Sequence, residues 1–196
     1  MSWIPLEMYK YGMIKLGEFK LSSGIESPFY IDARKLFSYP ELTRRVVNEL
    51  LTKIPLDAFD MLVGVESAGI PLAAYIACLT NKPLGYVRKE PKKHGTGNTV
   101  EGDVAGKRIA VVDDVITTGK SLIKAIDNLL VVGAKPTIAI VIIDREQGGR
   151  ELLRTHGVEL YALLTATEVF TRLYEGGLIT RNIYEEILSY LKSYKG

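Results

Sequence analysis

Residues 108–121 read Arg-Ile-Ala-Val-Val-Asp-Asp-Val-Ile-Thr-Thr-Gly-Lys-Ser, and this stretch decides how the rest of the chain is interpreted. The apolar, partly β-branched run 109–112 predicts a buried strand. Apolar residues recur at helical spacing after Gly119, which predicts a helix over about residues 119–132. A strand that passes through a Thr/Gly/Ser turn into a helix presents free N–H groups and a positive dipole end. The stretch therefore predicts an anion-binding site.

The ending Gly119-Lys120-Ser121 invites comparison with the P-loop pattern, Gly-x-x-x-x-Gly-Lys-Ser/Thr. Five residues before Gly119 stands Asp114, whose acidic side chain would occupy the place where that loop brings bare backbone close to phosphate. A nucleotide triphosphatase is therefore disfavoured. The other alternative is an ordinary turn whose Asp and Ser only cap the helix. Against it, Asp113 and Asp114 both end an apolar strand, where desolvation requires partners such as hydroxyls or a cation.

The stretch resembles the phosphoribosyl-pyrophosphate (PRPP) motif of the type I phosphoribosyltransferases. The resemblance implies that Asp113 and Asp114 bind the ribose hydroxyls and act in catalysis, and that the loop after them binds the 5-phosphate. The PRPP contacts that it implies beyond the acidic pair are Val115, Ile116, Thr117, Thr118, Gly119, Lys120 and Ser121.

Composition limits the class of protein. The chain has 196 residues, 47% of them hydrophobic, and a net charge of +2 from 25 basic and 23 acidic side chains. These values indicate one ordinary domain without a nucleic-acid-binding surface. The N-terminus lacks a signal-peptide layout, and no apolar run is long enough to span a bilayer, so we expect a cytoplasmic protein. The single cysteine, Cys78, lies in an apolar run and is expected to be a buried, inert thiol.

The pattern of elements predicts an α/β fold. Strands and helices alternate after Asp60, and the strands are nearly continuous in hydrophobicity, which favours a central parallel sheet flanked by helices. We expect one domain over 1–196, with a helix and a hairpin hood in about 1–38 and the α/β core in about 39–196. The predicted helices are 3–14, 40–53, 69–79, 119–132, 148–155, 167–174 and 180–193, and the predicted strands are 14–21, 28–33, 61–65, 84–87, 109–112, 137–143 and 158–164.

Residues 88–102 form a long polar connection that is rich in lysine and glycine. Connections of this length in a compact α/β domain are often functional, and a mobile cationic lid would suit a polyphosphate leaving group. A solvated basic loop and a loop that touches RNA phosphates are the alternatives. The loop resembles that of the orotate phosphoribosyltransferases, which implies pyrophosphate contacts for Arg88, Lys89, Lys92 and His94, with Lys89 and Lys92 also acting in catalysis.

Two further segments carry the same resemblance. Residues 21–30 resemble the hood hairpin of that family, which implies that Phe29 and Tyr30 stack beside the pyrimidine; without the resemblance they would be assigned to core packing. Residues 142–149 resemble its strand-end motif, which implies that Arg145 meets the orotate carboxylate and that Thr117 reaches orotate as well. Arg145 also ends a predicted strand, where α/β proteins bind ligands, and its planar fork fits a carboxylate. A structural ion pair of Arg145 with Asp144 or Glu146 is the alternative.

The chain departs from the family pattern at two positions. Ser22 and Ala68 stand where many members carry lysines that face phosphates. Lys20 is a candidate to replace the lysine missing at Ser22. Ala68 lies in residues 60–73, which resemble the family's second pyrophosphate loop. This loop has no replacement cation and would depend on backbone amides and Mg²⁺.

The resemblance implies an enzyme that joins orotate to PRPP and releases pyrophosphate and orotidine 5′-monophosphate. It implies Mg²⁺ as cofactor, held mainly by substrate oxygens, with Asp113 and Asp114 as contacts through water and no metal ligands of the protein's own. It also implies a homodimer in which the lid 88–102 reaches the partner site. The alternatives are a purine phosphoribosyltransferase and a non-catalytic regulator that binds RNA or a nucleotide.

Overall fold

A computed structural model describes residues 3–20, 24, 26–90 and 99–194 of the chain. No helix within these ranges is long and apolar enough to cross a membrane. The helices are α1 (Trp3–Lys10), α2 (Pro40–Leu51), α3 (Gly69–Thr80), α4 (Lys120–Val131), α5 (Gly149–Thr155), α6 (Ala166–Glu175) and α7 (Arg181–Lys192). The strands are β1 (Ile14–Lys20), β2 (Glu26–Ile31), β3 (Met61–Val65), β4 (Leu84–Val87), β5 (Val100–Glu101), β6 (Arg108–Val112), β7 (Val115–Ile116), β8 (Lys135–Asp144) and β9 (Glu159–Thr165).

The central sheet runs in the order β5, β4, β3, β6, β8, β9, and every pair is parallel except β4 with β5. β7 continues the line of β6 along β8, because Val112 pairs with Ile140 and Val115 pairs with Ile143. The predicted parallel sheet is thereby confirmed. The two-residue strands β5 and β7 were not predicted, since two residues carry no readable period.

Side chains of successive strand residues point to opposite faces, and both faces of this sheet are buried. In β6, Ile109 and Val111 join the cluster that packs against α4, whereas Ala110 and Val112 join the larger cluster on the other face. The helices α1, α2, α3, α6 and α7 all contribute to that larger cluster. This double coverage explains why the strands read as continuous apolar runs rather than as alternating ones.

The predicted N-terminal hairpin is confirmed: β1 and β2 pair antiparallel in a separate two-stranded sheet. The predicted helix over 3–14 is too long at its C-terminal end, because α1 ends at Lys10. Gly12 then adopts a left-handed conformation, with φ of 67°, and Ile14 begins β1. A 3-10 helix over Ala33–Ser38, which the sequence did not predict, connects the hairpin to α2.

The expectation for Cys78 was wrong, because its thiol is exposed. Helix α3 buries Leu72, Ala73 and Ile76, and the 3.6-residue period turns the end of the apolar run outward. Leu79, the next residue, is 48% exposed. Apolar composition alone therefore did not identify which face of α3 is covered.

Gly69 holds the start of α3 against the end of β6. A Cβ atom at this position would overlap the carbonyl oxygen of Val112 and would lie 3.1 Å from the Cα atom of Asp113. Because both neighbours are backbone atoms, they cannot move aside as a side chain can. The loop between β3 and α3 therefore approaches the acidic end of β6 as closely as backbone packing permits.

We expect Gly69→Ala to lower the free energy of unfolding by about 1–3 kcal/mol, the usual cost of overpacking. Thermal unfolding of the purified variant measures this loss, with Leu79→Ala on the exposed face of the same helix as the control. The control should stay within ~0.5 kcal/mol of the parent. Equal stability of Gly69→Ala and the parent would show that the close approach does not constrain the fold.

Candidate active site

The carboxyl ends of β3 and β6, the strand β7 and the hairpin enclose a cleft of about 610 Å³. Ligands of open α/β sheets bind at this edge, so the cleft lies where the fold predicts a site. The residues that line it are Lys20, Tyr30, Ile31, Arg34, Glu66, Ser67, Ala68, Lys89, Asp113, Asp114, Val115, Thr117, Thr118, Gly119, Lys120, Ser121 and Arg145.

Asp113 and Asp114 interrupt the line of β6 and β7. The Asp113 N–H donates to the carbonyl of Ile140, and the Asp114 carbonyl accepts from the N–H groups of Ile142 and Ile143. The backbone is thus fixed while both carboxylates remain half-buried beside the cleft.

Both carboxylates are destabilised as anions. Burial raises the pKa of Asp113 well above its usual range, and the neighbouring Asp114 raises it further. Burial likewise raises the pKa of Asp114, although hydrogen bonding to Asp113 and the charge of Arg34 oppose the shift. Hydroxyl donors or a cation in the cleft would relieve this cost, so the pair is suited to a polyhydroxylated ligand.

The loop after β7 forms the predicted turn into a helix. Gly119 is the N-cap of α4 with φ of 81°, a left-handed conformation that favours glycine. A Cβ atom on Gly149 would lie 2.7 Å from the carbonyl oxygen of Thr117, so the start of α5 packs against this loop. Thr117, Thr118 and the first residues of α4 surround the positive end of the helix at one end of the cleft.

Arg145 lies at the base of the cleft, 3% exposed, just after the last residue of β8. Its Nε donates to Oε1 of Gln147 at 3.0 Å, and its Nη2 donates to Oγ of Ser27 at 2.9 Å. The structural alternative was an ion pair with Asp144 or Glu146. Asp144 accepts from Nε of Arg150 at 3.1 Å, and Glu146 accepts from the N–H of Thr167 at 2.7 Å. Burial lowers the pKa of the Arg145 guanidinium, so an anionic partner would stabilise its charge.

The two aromatic residues of the hairpin have different positions. Phe29 is fully buried, its ring 4.6 Å from that of Phe170 and 4.4 Å from the guanidinium carbon of Arg145. Tyr30 lines the cleft. The prediction that both rings stack on the base is therefore corrected for Phe29, which supports Arg145 from the core, because successive residues of β2 point to opposite faces.

Arg34 and Glu66 are cleft residues that the sequence reasoning missed. Arg34 donates to the hydroxyl of Tyr30 at 2.8 Å and to Asp32 at 2.7 Å. Glu66 follows β3 and accepts from the N–H of Lys89 at 2.8 Å, which ties the start of the lid to this loop. The only signal for Arg34 was its position four residues after Tyr30, within an unpredicted 3-10 helix.

The predicted cations are only partly brought together. Lys89 and Lys120 line the cleft. Lys20 also lines it, which is where a substitute for the lysine missing at Ser22 would have to lie. Arg88 is not among the described lining residues; its Nε donates to Glu101 at 3.1 Å and its Nη2 to the hydroxyl of Tyr86 at 3.1 Å. Lys92, His94 and Ser22 lie outside the described residues, and Ala68 lines the cleft without a charge.

The described part of the chain contains no group of three His, Cys, Asp or Glu side chains that could hold a metal ion. The acidic pair supplies carboxylates from only two adjacent residues. A metal at this cleft would therefore take most of its ligands from substrate and water, which is the usual coordination of Mg²⁺.

Comparison with known proteins places this geometry in a family. The profile of the phosphoribosyl transferase domain matches residues 38–159. The orotate phosphoribosyltransferase of Staphylothermus marinus is 45% identical over 98% of this chain and 95% of its own.

Solved structures agree with this comparison. The orotate phosphoribosyltransferase of Aeropyrum pernix is 36% identical, with a TM-score of 0.75 over 89% of this chain and 99% of its own. The UMP synthase of Leishmania donovani is 26% identical, with a TM-score of 0.88 over 98% of this chain and 42% of its own. The chain belongs to the orotate phosphoribosyltransferase family, on the type I phosphoribosyltransferase fold.

Proposed function

We propose that the chain transfers the phosphoribosyl group of PRPP to N1 of orotate, releasing pyrophosphate and orotidine 5′-monophosphate in pyrimidine synthesis. The observation that carries this proposal is the arrangement of the cleft. One end has the helix N-terminus and the acidic pair, and the base has Arg145 with neutral hydrogen-bond partners. A substrate pair with a phosphorylated sugar and a carboxylated base matches both ends.

In the proposed complex, residues 117–121 bind the 5-phosphate through amides and hydroxyls, with Val115 and Ile116 shaping the approach. Asp113 and Asp114 accept hydrogen bonds from the ribose hydroxyls, which relieves their desolvation. Lys89, with Lys92 and His94 of the lid, binds the pyrophosphate; Arg88 would have to leave Glu101 to take part. These contacts act by positioning and by stabilising charge, and no protein nucleophile is required.

At the base of the cleft, the Arg145 guanidinium pairs with the orotate carboxylate, Tyr30 lies along the ring, and Thr117 reaches both substrates. N1 of the base attacks C1 of the ribose while the bond from C1 to pyrophosphate breaks. The bonding electrons leave with pyrophosphate, and the proton of N1 passes to solvent or to the departing pyrophosphate. A purine base has no carboxylate to pair with Arg145, and this contact therefore favours orotate over the purine alternative.

We infer that Mg²⁺ is the cofactor, since two adjacent carboxylates beside a polyphosphate cleft fit a metal held mainly by substrate oxygens. When bound, Mg²⁺ would neutralise charge on the pyrophosphate. Asp113 and Asp114 would then contact it through water.

We further propose that the chain works in the cytoplasm as a single domain within a homodimer, with the lid covering the partner site. The Arg88 N–H donates to the carbonyl of Thr99 at 2.8 Å, and β4 pairs with β5, so these contacts join the two ends of the predicted lid and leave a shorter segment between them than the 88–102 expected from sequence. At 3.3–3.6 Å per residue, residues 89–98 could extend out and back by about 15–18 Å. This reach is compatible with a site across a nearby dimer interface.

Replacing Arg145 by alanine should remove the partner of the orotate carboxylate. We expect Arg145→Ala to lose about 2–4 kcal/mol of transition-state binding with orotate, since it leaves a desolvated charge unpaired. PRPP affinity should change little. Steady-state kinetics with orotate, and calorimetric binding of PRPP, measure the two effects. Arg154→Ala, an exposed charge on α5, is the control. Equal losses in PRPP and orotate binding would show that Arg145 is structural.

Replacing Asp113 by asparagine separates its catalytic role from its structural cost. The raised pKa of Asp113 means that the folded state binds more protons than the unfolded state between the usual carboxyl pKa and the raised one. The ionised group therefore destabilises the fold above that window. Near neutral pH, Asp113→Asn should reduce turnover about tenfold or more without lowering the melting temperature.

The control for that variant is Asp127→Asn, which changes an exposed carboxylate on α4 and should leave turnover and melting unchanged. Full activity of Asp113→Asn would refute the ribose contact. A melting temperature well below that of the parent would instead assign Asp113 a structural role.

Subunit mixing tests the lid. One inactive variant carries Lys89→Ala with Lys92→Ala, and the other carries Asp113→Asn with Asp114→Asn. If the lid closes over the partner site, each mixed dimer has one site with an intact acidic pair and an intact lid, and activity returns to a measurable fraction of the parent. If subunits exchange but activity does not return, the lid acts within its own subunit and the proposal for the partner site fails.

A further inference from the structure

Tyr190 lies on α7, beyond the segment 38–159 that matches the phosphoribosyl transferase domain, and it does not line the cleft itself but lies behind Arg145, which does. Its hydroxyl accepts from Nε2 of Gln147 at 2.8 Å. Its ring meets that of Phe29 edge-on at 5.9 Å, beneath the guanidinium of Arg145. The C-terminal helix is thus connected to Arg145 through the Gln147 amide, through the Phe29 ring and through the Tyr190 hydroxyl, which also interacts directly with the guanidinium.

Gln147 carries the connection because its amide has two different ends. The oxygen accepts from Nε of Arg145 at 3.0 Å, while the nitrogen donates to Tyr190. If the amide turned over, its NH₂ group would face the guanidinium, and two donors would oppose each other. The guanidinium, which only donates, therefore selects this orientation of Gln147, and the Tyr190 hydroxyl, by accepting from the amide nitrogen, holds Gln147 in it.

The groups around the guanidinium are neutral: Ser27 and Tyr190 contribute hydroxyls and Gln147 an amide. Ser27 itself donates to the carbonyl of Phe29 at 2.8 Å, which leaves its oxygen lone pairs for Arg145. Such a set orients the guanidinium without neutralising it. A buried cation of this kind gains most from an anionic partner, and the cleft is where such a partner enters.

We propose that Tyr190 is a positioning residue for base recognition: through Gln147 and through its own contact with the guanidinium, it holds Arg145 in the orientation that receives the carboxylate of the base. The inference rests on the proposed function of Arg145. It adds that the C-terminal helix, none of whose residues lines the cleft, sets the affinity for the base.

The test is Tyr190→Phe, which removes the hydroxyl and keeps the ring that packs on Phe29. We expect the KM for orotate to rise about tenfold, as for one lost hydrogen bond to a charged network. The KM for PRPP and kcat should stay within about twofold of the parent. Tyr184→Phe is the matched control, because it removes a hydroxyl from the same helix that contacts Thr171 at 3.1 Å and not the cleft.

A double-mutant cycle with Gln147→Met distinguishes positioning from general packing. If Tyr190 and Gln147 hold Arg145 together, the loss of orotate affinity in the double variant should be smaller than the sum of the two single losses. Additive losses, equal rises in the KM for orotate and PRPP, or an unchanged KM for orotate would each overturn the proposal. If orotate affinity falls in Arg145→Ala but not in Tyr190→Phe, the inference fails and the proposed function stands. If it falls in neither, the proposed function fails as well.

Discussion

The desolvation of two adjacent carboxylates at the end of a buried strand is the constraint on which the rest of this structure depends. Asp113 and Asp114 are held by backbone bonds to β8. Their pKa values are raised because burial disfavours their charged forms. Gly69 brings the neighbouring loop against the same strand end and limits the room around them. The free energy for holding this pair comes from the apolar packing on both faces of the sheet, and ligand hydroxyls would recover part of the cost.

The two ends of the cleft come from different parts of the chain. The acidic pair, the loop 117–121 and Lys89 all lie inside the segment that matches the phosphoribosyl transferase domain. Around Arg145, by contrast, the hairpin contributes Ser27 and Phe29, and α7 contributes Tyr190. Under the proposed function, the shared domain supplies the sugar-phosphate end, and terminal elements complete the base end. This division gives a physical reason why one fold can serve different bases.

The strong periodic patterns in the sequence predicted the seven α-helices and the longer strands of the described residues, but not β5, β7 or the 3-10 helix. The run 109–112, the acidic pair after it and the turn at Gly119 all stand where the sequence placed them, because a buried strand, a polar break and a helix start each leave a local signal. Long-range packing leaves no such signal. Whether the ring of Phe29 or that of Tyr30 faces the cleft depends on how the hairpin packs against Arg145, which lies 116 residues after Phe29 in the sequence. The exposure of Cys78, the position of Arg34 and the link from Tyr190 to Gln147 were hidden for the same reason.

The most direct test of the account is a crystal structure of the protein with orotate bound, because the central claim concerns where the base carboxylate lies. We predict that both carboxylate oxygens lie within hydrogen-bond distance of the Arg145 guanidinium, with the Ser27 and Gln147 contacts retained and Tyr30 along the ring. An orotate whose carboxylate points toward residues 117–121, with Arg145 still bonded only to Ser27 and Gln147, would contradict the account.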